Sequence, residues 1–165
     1  MTGSLDSAVR VWHKERKNTP LQVENTNEVI TALAYSPNGK WLVLGTYSGK
    51  CLIYESSSIG KLNYKSQIDC KNRRGKFSSG RKIGGVTFIN DREFLVTTAD
   101  SRIRLISVDD CLQKVKFKGD NYKNENLQLL PSIDSHGNLI SCGSEDGQVY
   151  IWSRSNVKSD YRIRK

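Results

Sequence analysis

The chain has 165 residues, of which 36% are hydrophobic, and it carries a formal net charge of +9 at pH 7. This length and composition predict one compact domain and exclude a disordered chain. No apolar run approaches the roughly 20 residues needed to cross a membrane, and the N-terminus lacks the apolar stretch of a secretory signal, so the sequence predicts a soluble cytoplasmic protein.

The excess positive charge is concentrated in one segment. Residues 61–82 carry eight basic residues against one acidic residue, Asp69, whereas the rest of the chain is nearly balanced. The distribution of charge says more about a partner than the net value does. The sequence therefore predicts a locally basic loop on a nearly neutral domain.

A ten-residue block recurs four times, and its copies read GSLDSAVRVW, GTYSGKCLIY, TTADSRIRLI and GSEDGQVYIW. The copies occupy residues 3–12, 45–54, 97–106 and 143–152. Each begins with small residues, continues through a turn and ends in an apolar run. Successive block ends lie 42, 52 and 46 residues apart, which is close to the spacing expected for propeller blades.

The predicted strands follow the blocks in chain order. The first block is followed by a weaker strand at 21–24. The second copy predicts four strands, at 29–36, 41–45, 51–54 and 61–68. Between the first two of these, Pro37 presets φ for a turn and Gly39 tolerates a positive φ.

The third and fourth copies repeat this pattern. The third predicts strands at 83–89, 93–98, 103–106 and 112–118. The fourth predicts strands at 127–133, 138–143 and 149–152, with no clear outer strand after them. The central strands are apolar at nearly every position, which indicates sheets that are buried on both faces.

The blocks resemble the WD-repeat family of β-propellers, because Gly-Ser-x-Asp precedes a strand that ends in Trp in GSLDSAVRVW and GSEDGQVYIW. The resemblance covers roughly residues 2–156. It implies an all-β partial propeller with three four-stranded blades plus the last strands of another. The family's turn aspartate, which hydrogen-bonds within the blade, maps onto Asp6, Asp100 and Asp146, while Ser48 holds that position in the second copy. The family's Gly-His pair is absent from all copies.

One stretch is similar to a subfamily. The run 71–106, with KFKG at 116–119 and SEDGQVYIW at 144–152, is similar to the carboxyl-terminal half of the Rab-GTPase-binding WD-repeat proteins. The match lies in the basic loop combined with TTADSRIRL. This resemblance implies a cytoplasmic scaffold in membrane trafficking, although no Rab-binding motif maps onto residues here.

The sequence predicts a single partial propeller over residues 1–165. Its predicted units are the end of a blade at 1–24, a blade at 25–68, a basic interblade loop at 69–82, blades at 83–119 and 120–156, and a charged tail at 157–165. Since the strands that should precede the first block are missing, we expect a fragment of a larger propeller protein. The alternative is a remnant with a structural role only, which completes a ring with another chain.

The basic loop is the candidate partner-binding site. Six basic residues fall within twelve positions without an acid, namely Lys71, Arg73, Arg74, Lys76, Arg81 and Lys82. Because Arg can hold a carboxylate or phosphate through two hydrogen bonds, we expect a protein partner with an acidic surface. A small GTPase and an anionic lipid headgroup are candidates. A solvated, mobile loop without a partner stays the alternative.

Nucleic acid is a weaker candidate for this loop. Phe77 is its only aromatic residue, whereas proteins that bind single strands interleave several aromatic side chains with basic ones. The composition of the loop therefore argues against nucleic acid.

Large side chains at regular places in the strands are predicted to form the core rather than a ligand site. These aromatic residues are Trp12, Trp41, Tyr54, Tyr150 and Trp152. For three arginines, Arg10, Arg102 and Arg104, we expect the stems to pack between blades while the guanidinium groups stay in water.

Catalytic and metal-binding patterns are missing from the sequence. It contains no GxSxG, GxxxxGK[ST] or HExxH motif and only two histidines, His13 and His136. The four cysteines are widely spaced and are predicted to be free, namely Cys51, Cys70, Cys111 and Cys142. The sequence thus predicts a non-catalytic protein-protein interaction scaffold without metal or cofactor.

Overall fold

The computed structural model describes residues 1–15, 18–57, 60–72, 75 and 78–154. Over these residues all regular structure is β-strand, arranged as four antiparallel sheets whose strands are neighbours in chain order. Each copy of the ten-residue block contributes to a different sheet. The predicted all-β class is therefore confirmed.

The first sheet has three strands, β1 (Thr2–Gly3), β2 (Ala8–Val11) and β3 (Gln22–Asn25). The turn between β1 and β2 places Ser7 at a φ of 63°, a conformation that is uncommon for a residue other than glycine. The outer strand, predicted at 21–24, begins and ends one residue later.

The second sheet has four strands in the order β4-β5-β6-β7. They are β4 (Ile30–Tyr35), β5 (Trp41–Thr46), β6 (Lys50–Ser56) and β7 (Leu62–Asp69). Gly39 has a φ of 70° in the turn between β4 and β5. The predicted Pro-Asn-Gly turn therefore lies where the sequence places it.

The third sheet repeats the second, in the order β8-β9-β10-β11. Its strands are β8 (Ile83–Phe88), β9 (Glu93–Thr98), β10 (Arg102–Ser107) and β11 (Leu112–Phe117). The innermost strand pair has a register shift in both sheets, after Ile30 in the second and after Ile83 in the third. The two sheets are therefore copies of one unit.

The fourth sheet has three strands among the described residues, β12 (Ser132–Ile133), β13 (Leu139–Gly143) and β14 (Val149–Ser153). The strand predicted at 127–133 is thus a strand only in its last two residues.

The backbone before β12 bonds to the third sheet instead of forming a strand. The carbonyl of Leu129 accepts a hydrogen bond from Thr97 Oγ1 at 2.5 Å, and that of Pro131 accepts one from Thr87 Oγ1 at 2.9 Å. Pro131 also has no N–H to give to a strand ladder. These bonds explain why most of the predicted strand is absent.

The sheets pack face to face in chain order. Leu42 and Leu44 of β5 pack with Val9 of the first sheet, whereas Val43, between them, packs with Phe94 of the third sheet. A third core cluster joins the third sheet to the fourth. Both faces of the second and third sheets are therefore buried, as the apolar central strands predict.

The glycine that opens the first two blocks allows the next sheet to approach. A Cβ on Gly3 would lie 2.6 Å from Cγ2 of Ile30, and one on Gly45 would lie 2.4 Å from Cγ2 of Ile83. No side chain fits at such distances. The small residue at the start of the repeat is thus a packing requirement between neighbouring sheets.

The innermost strands curve around a common axis. Thr31 Oγ1 in β4 donates to the carbonyl of Ile83 in β8 at 2.7 Å, which links the second sheet to the third. The side chain of Gln128, just before the fourth sheet, donates to the carbonyl of Thr31 at 3.1 Å. Since sheets stacked in a straight line would keep the second and fourth apart, the array is a partial β-propeller.

Candidate partner-binding site

The basic segment connects β7 of the second sheet to β8 of the third. Three of its six predicted binding residues lie outside the described residues, namely Arg73, Arg74 and Lys76. At its start, Lys71 Nζ forms an ion pair with Asp69 Oδ2 at 3.3 Å, and both side chains are about half exposed. The other two, Arg81 and Lys82, lie at the end of the segment.

The start of the segment is attached to the third sheet through Asn72. Its Nδ2 donates to Asp100 Oδ2 at 3.2 Å, and its Oδ1 accepts from Lys116 Nζ at 3.2 Å. Partial burial and the nearby charge of Arg104 lower the pKa of Lys116. The third sheet therefore fixes where the segment begins.

Asp100 and Arg104 form a buried ion pair behind Asn72. Arg104 Nη2 lies 2.6 Å from Asp100 Oδ2 and Nη1 lies 3.0 Å from Oδ1, so the pair is bidentate. Thr98 Oγ1 donates to Asp100 Oδ1 at 2.5 Å and accepts from Arg104 Nη1. This cluster joins the turn between β9 and β10 to the strand that follows it.

The expectation that Arg104 keeps its guanidinium in water is wrong, since its side chain is 0% exposed. Asp100, four residues earlier, neutralises the charge and makes burial possible. Arg10 forms the same kind of pair with Asp6 at 2.6 Å but stays 32% exposed. Arg102 donates to the carbonyl of Ser101 at 2.7 Å and is partly buried.

The end of the segment is packed against the turn between β5 and β6. Gly49 and Gly80 have φ values of +87° and +81°, and a Cβ on Gly80 would lie 2.4 Å from the carbonyl oxygen of Ser48. A Cβ on Gly49 would lie 2.7 Å from the carbonyl oxygen of Arg81. Only glycine fits at these two positions, so both ends of the basic segment are held.

A cleft of about 430 Å³ opens beside this contact. It is lined by four loops and we name it the four-loop cleft; its lining comprises Tyr47 and Ser48, residues 79–82, Ala99, and Glu125 with Asn126. Lys82 Nζ donates to the carbonyl of Asn126 at 3.0 Å, and Ala99 N donates to the carbonyl of Lys82 at 2.9 Å. Lys82 thus ties three of the loops together.

Glu145 fixes the shape of the fourth loop. Its Oε1 accepts hydrogen bonds from the backbone N–H groups of Glu125, Asn126 and Leu127, at 2.8, 2.6 and 2.8 Å. Burial acts to raise its pKa, but these hydrogen bonds outweigh that effect and lower the pKa of Glu145 to about 2. The sequence places Glu145 between the strands predicted at 138–143 and 149–152 and does not indicate its partners, because they lie about twenty residues earlier.

The family described as WD domain, G-beta repeat matches residues 18–55 and 131–153. These two stretches are WD repeats. The two matched stretches contain strands of the second and fourth sheets, and the third sheet has the same strand order as the second.

The curated relatives that match are longer than this chain. WD repeat-containing protein 44 of Xenopus laevis is 37% identical over 156 residues, which are 93% of this chain and 17% of that protein. The small ribosomal subunit protein RACK1y of Oryza sativa subsp. japonica is 23% identical over 94% of this chain and 44% of its own length. An uncharacterized WD repeat-containing protein of Schizosaccharomyces pombe is 27% identical over 80% of this chain and 20% of its own length. The chain therefore spans less than half of each.

The turn aspartates of the WD repeats make local hydrogen bonds. Asp6 Oδ1 accepts from the backbone N–H of Ala8 at 3.0 Å, and the hydrogen bond from Arg10 is the largest cause that lowers the pKa of Asp6 to about 2. Asp146 accepts from the backbone N–H of Gln148 at 3.1 Å and from the Tyr150 hydroxyl at 2.6 Å. Each aspartate thus closes its own turn.

The WD repeat with Ser48 in place of aspartate uses another carboxylate. Ser48 Oγ donates to Glu28 Oε2 at 2.7 Å, and Lys50 Nζ pairs with Glu28 Oε1 at 2.6 Å. The hydrogen bonds from Lys50 and Ser48 overcome the effect of burial and lower the pKa of Glu28. In the sequence, only the absence of an aspartate at position 48 indicates that another carboxylate closes this turn. The sequence does not identify Glu28, because it lies twenty residues before Ser48.

The aromatic residues at the WD-repeat ends differ in burial. Tyr54 and Trp152 are buried, and Trp41 is partly buried. The sequence pattern predicts Trp12 in the core, and this is wrong: Trp12 is 37% exposed, and its Nε1 donates to Thr2 Oγ1 at 2.9 Å. The face of the first sheet that carries Trp12 is not covered by another sheet among the described residues, which explains the exposure.

The cysteines of these WD repeats are free, and three of them are buried. Cys51 and Cys70 lie with their Sγ atoms 3.5 Å apart, and this contact together with burial raises the pKa of the Cys51 thiol well above its usual range. Within the described ranges, no group of three His, Cys, Asp or Glu residues could hold a metal ion. In that same part of the chain, no helix has the length and hydropathy to cross a membrane.

WD-repeat proteins are generally non-catalytic scaffolds that bind protein partners. The fold presents its loops on a packed array of sheets, and such loops commonly carry function.

Proposed function

We propose that the chain is a non-catalytic scaffold that binds a protein partner with an acidic surface through its basic segment. The observation that carries this proposal is that both ends of the segment are attached to neighbouring sheets, through Asn72 at one end and Gly80 at the other. A segment with fixed ends loses less conformational entropy on binding than a free one.

Charge complementarity supports an acidic partner. Six basic residues and no acid lie between Lys71 and Lys82. Asp100, the carboxylate at the base of the segment, is already neutralised by Arg104. Opposite charges across an interface speed association and select the partner, so a surface rich in Asp and Glu fits this segment.

The resemblance to this subfamily also supports a proposal for where in the cell the protein acts. Similarity to WD repeat-containing protein 44 supports a cytoplasmic scaffold in vesicle trafficking, and an acidic surface on a small GTPase is the partner we infer from that resemblance. An anionic lipid headgroup is the second candidate ligand for the same cations.

A structural role is the alternative function. Val149 is 70% exposed, and Leu139 on the neighbouring strand is also exposed. These side chains favour a role in which the fourth sheet packs against further blades of another chain. Such a role does not depend on the basic segment, so the charge reversal described next separates the two functions.

The test reverses three charges, Arg73→Glu, Arg74→Glu and Lys76→Glu, in one variant. Proteins retained by the purified wild type and variant are compared by quantitative mass spectrometry, and binding is then measured with each purified candidate. We expect partner affinity to fall at least about tenfold. The unfolding temperature should stay unchanged, because Asn72 and Gly80, which hold the two ends of the segment, are not altered.

The matched control reverses three exposed lysines outside residues 69–82, Lys14→Glu, Lys61→Glu and Lys65→Glu. It changes the net charge by the same amount, so it should retain the partner. Equal loss in the control would show that only overall charge matters. A lower unfolding temperature in the Arg73, Arg74 and Lys76 variant would assign the segment a structural role instead.

A further inference from the structure

The geometry points to a more specific role for the four-loop cleft: it receives one carboxylate side chain of an extended acidic peptide, next to Lys82. This inference rests on the proposed function and names the part of the surface that selects the partner. The basic segment supplies long-range attraction, and the cleft supplies the specific contact.

The size of the cleft fits a peptide segment. Its volume of about 430 Å³ lies in the range of ligand pockets, roughly 300–1,000 Å³. It therefore has room for one glutamate side chain and the peptide backbone on either side of it. Tyr47 lies at the cleft and is 65% exposed, so its ring offers an apolar surface for the methylene groups of such a side chain.

The cleft also has hydrogen-bond donors for a carboxylate. Among the lining residues, Ser79 has a hydroxyl group and Asn126 has one amide N–H beyond its bond to Glu145, whereas the Ser48 hydroxyl already donates to Glu28. Lys82 is held in position by its bond to the carbonyl of Asn126 at 3.0 Å, and an ammonium group has two further N–H donors. A carboxylate in the cleft would therefore meet both charge and neutral donors.

The charges around the cleft favour an anion. Two cations, Arg81 and Lys82, line it with one carboxylate, Glu125. Three carboxylates next to the lining residues are already engaged. Glu28 is bound by Lys50 and Ser48, Asp100 by Arg104, and Glu145 by three backbone N–H groups. The cleft thus has a net positive lining, beside a segment that adds more positive charge.

Ser48 keeps one wall of the cleft uncharged. The equivalent position is an aspartate in the other three copies, Asp6, Asp100 and Asp146. At residue 48, an aspartate would place a negative charge in the wall of the cleft. The second repeat instead has a neutral hydroxyl there and takes its carboxylate from Glu28, which is paired.

The make-up of the cleft favours a peptide over a lipid surface. Its walls come from four different loops, which can contact a single side chain from several sides. A bilayer presents its headgroups in a plane, whereas a single extended chain can enter with one side chain. We therefore commit to a peptide and treat the lipid as an outcome of the test.

The probe is a fluorescein-labelled peptide of alternating glutamate and glycine residues, with a glutamine-glycine peptide as its neutral match. Fluorescence anisotropy measures their affinity for the full chain. We expect binding of the glutamate peptide, weakening as salt is raised, and at least about tenfold weaker binding of the glutamine peptide.

Two variants address the cleft in different ways. Ser79→Trp fills it from an exposed position without changing charge, and Ser48→Asp adds a negative wall with the residue that the other repeats use. Each should weaken the glutamate peptide about tenfold or more. Lys65→Glu, on the outer strand of the second sheet, is the control and should bind nearly as wild type.

The outcomes separate this inference from the proposed function. If both cleft variants bind as wild type while the Arg73, Arg74 and Lys76 reversal loses binding, the cleft inference is overturned and the proposed function stands. If the glutamate peptide does not bind at all, both are contradicted. If wild type and Ser79→Trp bind phosphatidylserine vesicles equally and neither binds the peptide, the ligand is a lipid and the cleft is not its site.

Discussion

Arg104 is the largest of the side chains that are completely buried in the described part of the chain. Its charge is balanced by Asp100, and Thr98 and Asn72 complete the cluster. Breaking a buried pair by removing one partner leaves an uncompensated charge, which costs far more than losing an exposed pair. The cluster also holds Asn72, so it supports the start of the basic segment.

We predict that Asp100→Ala lowers the free energy of unfolding by about 3–5 kcal/mol, because Arg104 would stay buried without its partner. Urea unfolding measures this change. The double variant with Arg104→Met should be more stable than Asp100→Ala alone, since the buried charge is gone. Asp6→Ala, at the exposed equivalent pair, is the control and should cost much less. A double variant no more stable than Asp100→Ala would contradict this account.

At this scale the sequence predicts contacts within a turn but not contacts between distant segments. The turn positions Asp6, Asp100 and Asp146 follow from the repeat. The roles of Glu28 and Glu145 do not, because each binds residues about twenty positions away. The sequence neighbours of Arg104 in its strand, Ile103 and Leu105, are apolar and favour burial of the strand. Arginine itself is usually exposed in proteins, which favours the opposite prediction.

The elements that form the site are the connections between strands rather than the strands themselves. The basic segment is held at Asn72 by polar contacts and at Gly80 by close packing on Ser48. Because Gly80 leaves no room for a Cβ, any side chain there must displace the backbone. The position of Arg81 and Lys82 at the cleft therefore depends on one glycine.

Gly80→Ala should destabilise the chain by about 1–3 kcal/mol more than Gly39→Ala. Both glycines have positive φ, but a Cβ on Gly39 would meet nothing within 4 Å, so the control isolates the clash. Thermal and urea unfolding measure the difference. The same change should weaken binding of the glutamate peptide. Equal stability of the two variants would mean that the contact between Gly80 and Ser48 is not tight.

Strand positions follow from the sequence better than connections do. The bounds of β9 agree with the prediction, and most other strands differ by one or two residues, because apolar runs and turn residues mark them. The prediction of a strand at 127–133 is wrong for most of its length. The backbone there bonds to Glu145 and to the hydroxyl groups of Thr97 and Thr87, and an apolar pattern does not indicate such bonds. The cleft itself could not be predicted, because four segments distant in sequence build it.

At the scale of the whole molecule, the strand topology places the loops that line the cleft at one end of the array. In a four-stranded antiparallel sheet, the turn between the second and third strands lies at the same end as the connection that leaves the fourth. The hydrogen bond from Gln128 to Thr31 shows that the segment before the fourth sheet reaches the innermost strand of the second sheet. Curvature and topology together bring the turns at Ser48 and Ala99 next to the loop at Asn126.

Hydrogen exchange of the chain with and without the glutamate-glycine peptide tests the central claim, that loops at one end of the WD-repeat array bind an acidic partner. The account predicts slower exchange of backbone amides at 46–50, 78–82, 99–101 and 124–127, with little change in the strands. Protection confined to β13 and β14, or no protection at any of the four loops, would contradict it.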